Sequence, residues 1–267
     1  MKKTKGDNPL PSKEPAYDWS QSQVTGFENT TSEDLGIPFL VILQKGSPEV
    51  DPDHADHETK VIAGATSGCI INTLTREILH EREGDPLRVI PCGYHRMYVE
   101  WKKRDSGGGI VRVHRNSSIL EQTKRDEEKN VDVLENGNLI VTTAYFYVKY
   151  RNLEDTEWIS AVISMTSTQL KKARMWLNMM MSMKINVGDK KVTPPMYSHN
   201  YYIASIPESN SKGNWLGWKI ESGEILSDPE LIQNCMVLSK LILAAPPKLA
   251  IQAPETDEAV DQAKGPF

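Results

Sequence analysis

The sequence predicts a mainly β protein with a few helices, arranged as a partly open five-stranded OB-like barrel with extra hairpins and two helices. Three observations predict it. Apolar residues recur at a two-residue period in several short runs. Turn signals such as Thr75-Arg76, Asn136-Gly137 and Gly188-Asp189 separate those runs. Helical spacing appears in only two stretches, around Leu170 to Met180 and around Leu231 to Ile242.

In chain order, residues 1–31 are rich in Lys, Pro, Ser, Asn and Gln, with Tyr17, Trp19 and Phe27 as their only large apolar groups, and read as a loose N-terminal arm. The body is expected over residues 32–245. Its first strand is Ile37 to Leu43, apolar on both faces and so expected to be buried. A charged loop, Pro48 to Lys60, precedes a short hairpin over Gly68 to Thr73 and Glu77 to His80. Leu87 to Cys92 leads into the stretch that organises the reading, Gly93 to Arg115. After a polar segment from Ser117 to Asn130, the Asn136-Gly137 turn joins Val131 to Glu135 with a long strand, Leu139 to Arg151. Trp158 to Met165 follows, with Ile159, Ala161, Ile163 and Met165 on its core face. Thr166 and Gln169 have the spacing of a capping box for a helix that buries Leu170, Ala173, Leu177 and Met180. Ile185 to Pro195 reads as a loop, and strands are expected at Tyr197 to Ile206 and Trp215 to Glu221. Asp228 as N-cap and Pro229 at the first helical position open a last helix that points Leu231, Cys235, Leu238 and Ile242 inward. Residues 246–267 hold prolines and acids without periodicity and are expected to be disordered.

Composition excludes several classes. At 267 residues, with 39% apolar and 25% charged residues, the chain can bury a substantial core and has no apolar run long enough to cross a bilayer. Its start lacks the apolar segment of a signal peptide, so a cytoplasmic location is expected. Cys69, Cys92 and Cys235 are too far apart to suggest a disulfide framework or a Cys-based zinc site. A net charge of −5 argues against coating nucleic acid with the whole surface but leaves room for a local basic groove.

Gly93 to Arg115 is where such a groove is written. One strand face carries Tyr94, Arg96, Tyr98, Glu100 and Lys102, the other His95, Met97, Val99 and Trp101. Lys103, Arg104 and a glycine-rich tip follow, and the returning strand adds Arg112 and Arg115. The long strand repeats the pattern, with Tyr145, Tyr147, Lys149 and Arg151 opposite Ala144, Phe146, Val148 and Tyr150. Ring faces and guanidiniums together suit unpaired bases and phosphates. The competing reading is an ordinary solvent face, since strands favour Tyr anyway. Elsewhere, the run Asp51 to Glu58 gathers His54, His57 and four carboxylates, but charge runs are mostly solvated loops. Asp53, Glu58 and Lys60 echo a nuclease pattern on a cramped connection. No phosphate-binding loop or nucleophile elbow is present, so neither a catalytic residue nor a cofactor is expected.

The tail, with Asp261 among its acids, ends in Pro266-Phe267. In this it resembles the tip of bacterial single-stranded DNA-binding proteins and the acidic, aromatic-ended tails of phage proteins of that role. The body, from IPFLVILQKGSPEVDP through the YVEW strand, resembles a bacteriophage replication-cluster protein. The resemblance implies sequence-independent single-stranded DNA binding in phage replication or recombination, inside the bacterial host. Tyr94, Tyr98, Tyr145 and Tyr147 would stack bases. Arg96, Lys102, Lys103, Arg104, Arg112, Lys149 and Arg151 would track phosphates, and Asp261, Pro266 and Phe267 would recruit partner proteins. A homodimer is compatible with this reading and a membrane partner is not. A metal-dependent nuclease and a virion or scaffolding protein remain as alternatives.

Overall fold

Alternation of apolar and polar residues sets the architecture, because each strand with one apolar face must bury it. A computed structural model describes residues 37–103, 109–127, 131–211 and 213–244, all within one compact unit that begins at Gly36. The strands are β1 Phe39–Ile42, β2 Ile70–Asn72, β3 Ile78–His80, β4 Leu87–Trp101, β5 Ile110–His114, β6 Thr123–Asp126, β7 Val131–Leu134, β8 Leu139–Arg151, β9 Trp158–Thr166, β10 Ile185–Val187, β11 Lys190–Val192, β12 His199–Asn210 and β13 Gly213–Ile225. The helices are α1 His57–Lys60, α2 Leu170–Ser182 and α3 Pro229–Ala244.

The fold is mainly β, but the sheet exceeds the five strands expected of an OB-like barrel. Among the described residues it has eleven strands, with a continuous path β13-β12-β4-β8-β9-β1-β2-β3. β5 is added beside β4, and the β6–β7 hairpin beside β8. All pairings are antiparallel except that of β1 with β9, so the sheet is mixed. The expected loop at Ile185 to Pro195 holds a further hairpin, β10–β11, turned at Gly188 with φ of 57°.

The path curls into a half-barrel whose ends are tied by side chains. The Gln44 side chain accepts from Leu216 N–H at 2.9 Å and donates to Leu216 C=O at 2.9 Å, acting as a strand neighbour to β13. Ser205 Oγ donates to the Gly68 carbonyl. The inner face is lined by residues from all eight path strands, including Leu40, Ile70, Val89, Phe146, Ile163, Tyr201, Ile203 and Trp218, packed around Trp176 and Ala173 of α2. Trp176 lies outside the expected Leu170, Ala173, Leu177, Met180 stripe yet is fully buried, stacked 4.4 Å from Phe146. The outer face packs Phe39, Ile90, Cys92, Met97, Tyr145, Tyr147 and Val162 beneath Cys235 and Ile242 of α3. That helix begins as expected, with Asp228 Oδ1 accepting from Glu230 N–H and Leu231 N–H.

The expected capping box at α2 is replaced by a tertiary contact. Gln169 Oε1 accepts from Trp218 N–H at 3.0 Å, and its amide donates to Glu208 at 2.8 Å. Glu208 also accepts from Trp215 Nε1 at 2.9 Å and pairs with Lys172 at 2.8 Å. Burial would raise the Glu208 pKa, but the hydrogen bonds from Lys172, Gln169 and Trp215 outweigh it and lower the pKa. A Cβ at Gly217 would sit 2.2 Å from Glu208 Oε2 and 2.8 Å from Gln169 Nε2, so a larger residue would displace both groups from these hydrogen bonds.

Candidate nucleic-acid interface

β4 and β8 are neighbours, as a shared groove would need, but their register separates the two sets of predicted groups. Facing residues in an antiparallel pair project to the same side. Tyr94 faces Phe146, Arg96 faces Ala144, and Tyr98 faces Thr142, so these three lie on the inner face. His95 faces Tyr145, and Gly93 faces Tyr147, which places Tyr145, Tyr147, Lys149 and Arg151 on the outer face. Ring contacts agree: Tyr94 lies 5.0 Å from Phe146, and His95 lies 5.8 Å from Tyr147. The single trough formed by both sets is therefore corrected.

Burial removes three of the four tyrosines from the stacking role expected of them. Tyr145 and Tyr147 are 3% and 2% exposed, covered by the α3 layer. Burial pushes the Tyr147 hydroxyl up to about 12. Tyr98 is 8% exposed and packs with Ile119 and Ile140, under the 3-10 turn Ser117–Gln122. Tyr94 alone keeps a half-buried ring.

The cations divide in the same way. Arg151 is engaged by Asp155 through Nε at 2.7 Å, and Arg88 reaches the same carboxylate. The two guanidiniums each lie 5.4 Å from the Trp158 ring centroid. Hydrogen bonds from Arg151, aided by the charge of Arg88, hold the Asp155 carboxyl below its ordinary range. Lys149 is half-buried. By contrast Arg96, Lys102, Lys103 and Arg112 are exposed on the β4–β5 hairpin, and none has an acidic partner among the described residues. Arg112 faces Glu100, whose carboxylate is committed elsewhere, to His114 Nε2 at 2.9 Å and Asn138 Nδ2 at 2.6 Å. Burial would raise the Glu100 pKa, but those hydrogen bonds from Asn138 and His114 bring it below its ordinary value.

Three further expectations have their placement. Asp51 to Glu58 makes local bonds: Asp51 accepts from Asp53 N–H, His54 Nδ1 from Asp56 N–H, and His57 Nδ1 lies 2.7 Å from Pro48 O. Glu58 and Lys60 share the single turn of α1, and Lys60 pairs with Asp56 at 3.2 Å, so the nuclease-like residues do not occupy adjacent strands. No group of three or more metal-binding side chains is found among the described residues. Arg104, the 1–31 arm, and Asp261, Pro266 and Phe267 of the tail lie outside the described residues.

Among known families, the one described as Pam3 phage gp34-like protein matches residues 4–242. The chain belongs to that family. Neither a curated protein nor a solved structure matches it. The span shared with the gp34-like family takes in the β4–β5 hairpin, both faces of the sheet and α3 as far as Ile242, and stops before the acidic tail. The family is a phage one, in agreement with the bacteriophage character expected from the sequence. No helix of this gp34-like protein is long and apolar enough to cross a membrane, among the described residues.

Sequence reasoning missed one row of the gp34-like sheet. Tyr202 of β12, Arg88 of β4, Arg151 of β8 and Trp158 of β9 stand in register across four strands. The signal for Arg88 was present, a lone cation between the apolar Leu87 and Val89. Its partners were not legible, because they come from strands more than 60 residues away.

Proposed function

We propose that this gp34-like protein binds single-stranded DNA without sequence preference in phage replication or recombination, along the exposed side of the β4–β5 hairpin. One observation carries the reading: Arg96 and Arg112 are exposed, lack acidic partners among the described residues, and share the inner side of the hairpin with the half-buried ring of Tyr94. Lys102 and Lys103 extend that charge toward the hairpin tip. A strand laid there would stack a base on Tyr94 and place phosphates against the guanidiniums. The buried Tyr98, Tyr145 and Tyr147, and the acid-paired Arg151, take no part. The tail ending in Pro266-Phe267 would recruit replication or recombination proteins.

Anisotropy of a labelled oligothymidylate at several salt concentrations tests this. Removing one cation from a phosphate should reduce the slope of log affinity against log salt by about 0.7, so Arg96→Ala with Arg112→Ala should flatten it by roughly 1.4. Tyr94→Ala should weaken binding about tenfold, from a stacking contribution of about 1–3 kcal/mol. Tyr145→Phe should leave affinity unchanged. Removing Pro266 and Phe267 should spare DNA binding and abolish partner recruitment. A wild-type chain that leaves the oligonucleotide free at low salt, or an affinity indifferent to the arginine pair, would sink the proposal. The scaffolding alternative is favoured by exposed Met181, Leu241 and Leu243, and ordered assembly without nucleic acid would support it instead.

A further inference from the structure

Between Glu157 and Glu208 the chain carries a single acid, Asp189, against six cations, Lys171, Lys172, Arg174, Lys184, Lys190 and Lys191, although the whole sequence has a net charge of −5. The fold sorts these cations. Lys172 pairs with Glu208 of β12 at 2.8 Å. The other five are exposed and have no acidic partner among the described residues, and Lys184 Nζ donates to Thr193 Oγ1.

α2 buries Ala173, Trp176 and Met180 and leaves Lys171, Arg174, Met175, Asn178, Met181 and Ser182 outside. Steps of three and four residues make these one continuous stripe, about 16 Å long at 1.5 Å per residue. Lys184 follows it, and the β10–β11 ribbon continues the charge. Lys190 projects to the side of Val187 and Lys191 to the side of Asn186, so a ligand reaching the ribbon meets a cation on either face. Helix stability does not account for this placement. Lys171, Lys172 and Arg174 stand at the positive end of the helix dipole, with no acid in the first turn and no cation in the last. Side-chain charge and dipole therefore add, which suits an anionic ligand.

We propose, on the basis of the hairpin reading above, that the exposed stripe of α2 and the β10–β11 ribbon form a second tract for the backbone of single-stranded DNA. The two tracts share the inner face: Tyr94 lies 5.0 Å from Phe146, which lies 4.4 Å from Trp176 of α2. Phosphates pair with Lys171, Arg174, Lys184 and the ribbon lysines. Unpaired bases rest on Met175 and Met181, which are 44% and 68% exposed and whose thioethers make favourable contacts with aromatic rings.

The test titrates the full-length protein against a labelled oligothymidylate of about 16 nucleotides, the upper end of common site sizes, at several salt concentrations. Lys171→Gln with Arg174→Gln should reduce the slope of log affinity against log salt by about 1.4, and Lys190→Gln with Lys191→Gln by a similar amount. Both pairs should keep the wild-type urea midpoint, because their side chains are exposed. Met175→Ser with Met181→Ser should weaken binding about three- to tenfold at an unchanged slope. Lys240→Gln, on the outer-face helix α3, should leave the slope as it is. If Arg96→Ala with Arg112→Ala flattens the slope and the α2 and ribbon pairs do not, the second tract is overturned and the hairpin site stands. If the α2 and ribbon pairs flatten it and the arginine pair does not, the hairpin reading fails and the tract on α2 stands. Equal flattening by Lys240→Gln would reduce the effect to net charge and overturn the proposal. Displacement by polyglutamate as effective as that by unlabelled oligothymidylate would assign the surface to an acidic protein instead, and a wild-type chain that binds no oligonucleotide at low salt would overturn both sites.

Discussion

Tyr147 shows what a strand pattern can and cannot say about a residue. Its alternation with Phe146 and Val148 is legible, and each face was assembled from the expected members. Its burial is not, because exposure depends on an element that arrives 82 residues later in sequence. Its hydroxyl is buried with no hydrogen-bond partner among the described residues. A buried hydroxyl left unpaired costs about 1–3 kcal/mol, so Tyr147→Phe should leave stability unchanged or raise it within that range. Tyr147→Ala should instead cost about 3–5 kcal/mol by opening a cavity. Urea unfolding of both variants decides it. A base-stacking ring survives in Tyr147→Phe and is lost in Tyr147→Ala, so loss of oligothymidylate binding in Tyr147→Ala alone, under conditions where that variant stays folded, would restore the outer face as an interface.

At the scale of elements, α3 was the most legible part of the chain. Its N-cap, its first-position proline and its inward stripe Leu231, Cys235, Leu238, Ile242 all stand where the helical period places them. What it covers was not legible, because amphipathic spacing specifies an apolar face and never its counterpart. The counterpart is specified on β4 by Gly93, beside the register shift between Pro91 and Gly93. Gly93→Ala introduces a Cβ within 2.8 Å of Ile242 Cγ2 and 3.0 Å of Cδ1, and relief requires the helix to rise. An overpacking cost of about 1–3 kcal/mol converts to hydrogen exchange roughly 5 to 160 times faster, confined to the amides of α3. Exchange read by mass spectrometry should show β9 and β12 unchanged. Equal acceleration in those strands would mean that α3 is integral to the sheet rather than laid upon it.

For the molecule as a whole, the strands were largely legible and their closure was not. The half-barrel is tied by Gln44 to the main chain of Leu216, across 172 residues, and no local pattern announces a side-chain amide acting as a strand edge. The same closure explains why an OB-like barrel of five strands was too small a frame: β12 and β13 continue the sheet beyond β4, while β1, β2 and β3 continue it beyond β9. Because β4, β8 and β9 each give alternate residues to the inner and the outer core, neither layer can melt while the other keeps its strands. The body should therefore unfold as one cooperative unit, apart from local opening of α3. Ile163→Ala on the inner face and Ile90→Ala on the outer face, both at fully buried positions, should each cost about 2–5 kcal/mol. Each should move the urea midpoints of tryptophan fluorescence and far-ultraviolet circular dichroism together, with the slope unchanged. Two separated transitions, or a substitution that shifts one probe alone, would show that the two layers are stabilised independently and that the shared strands do not couple them.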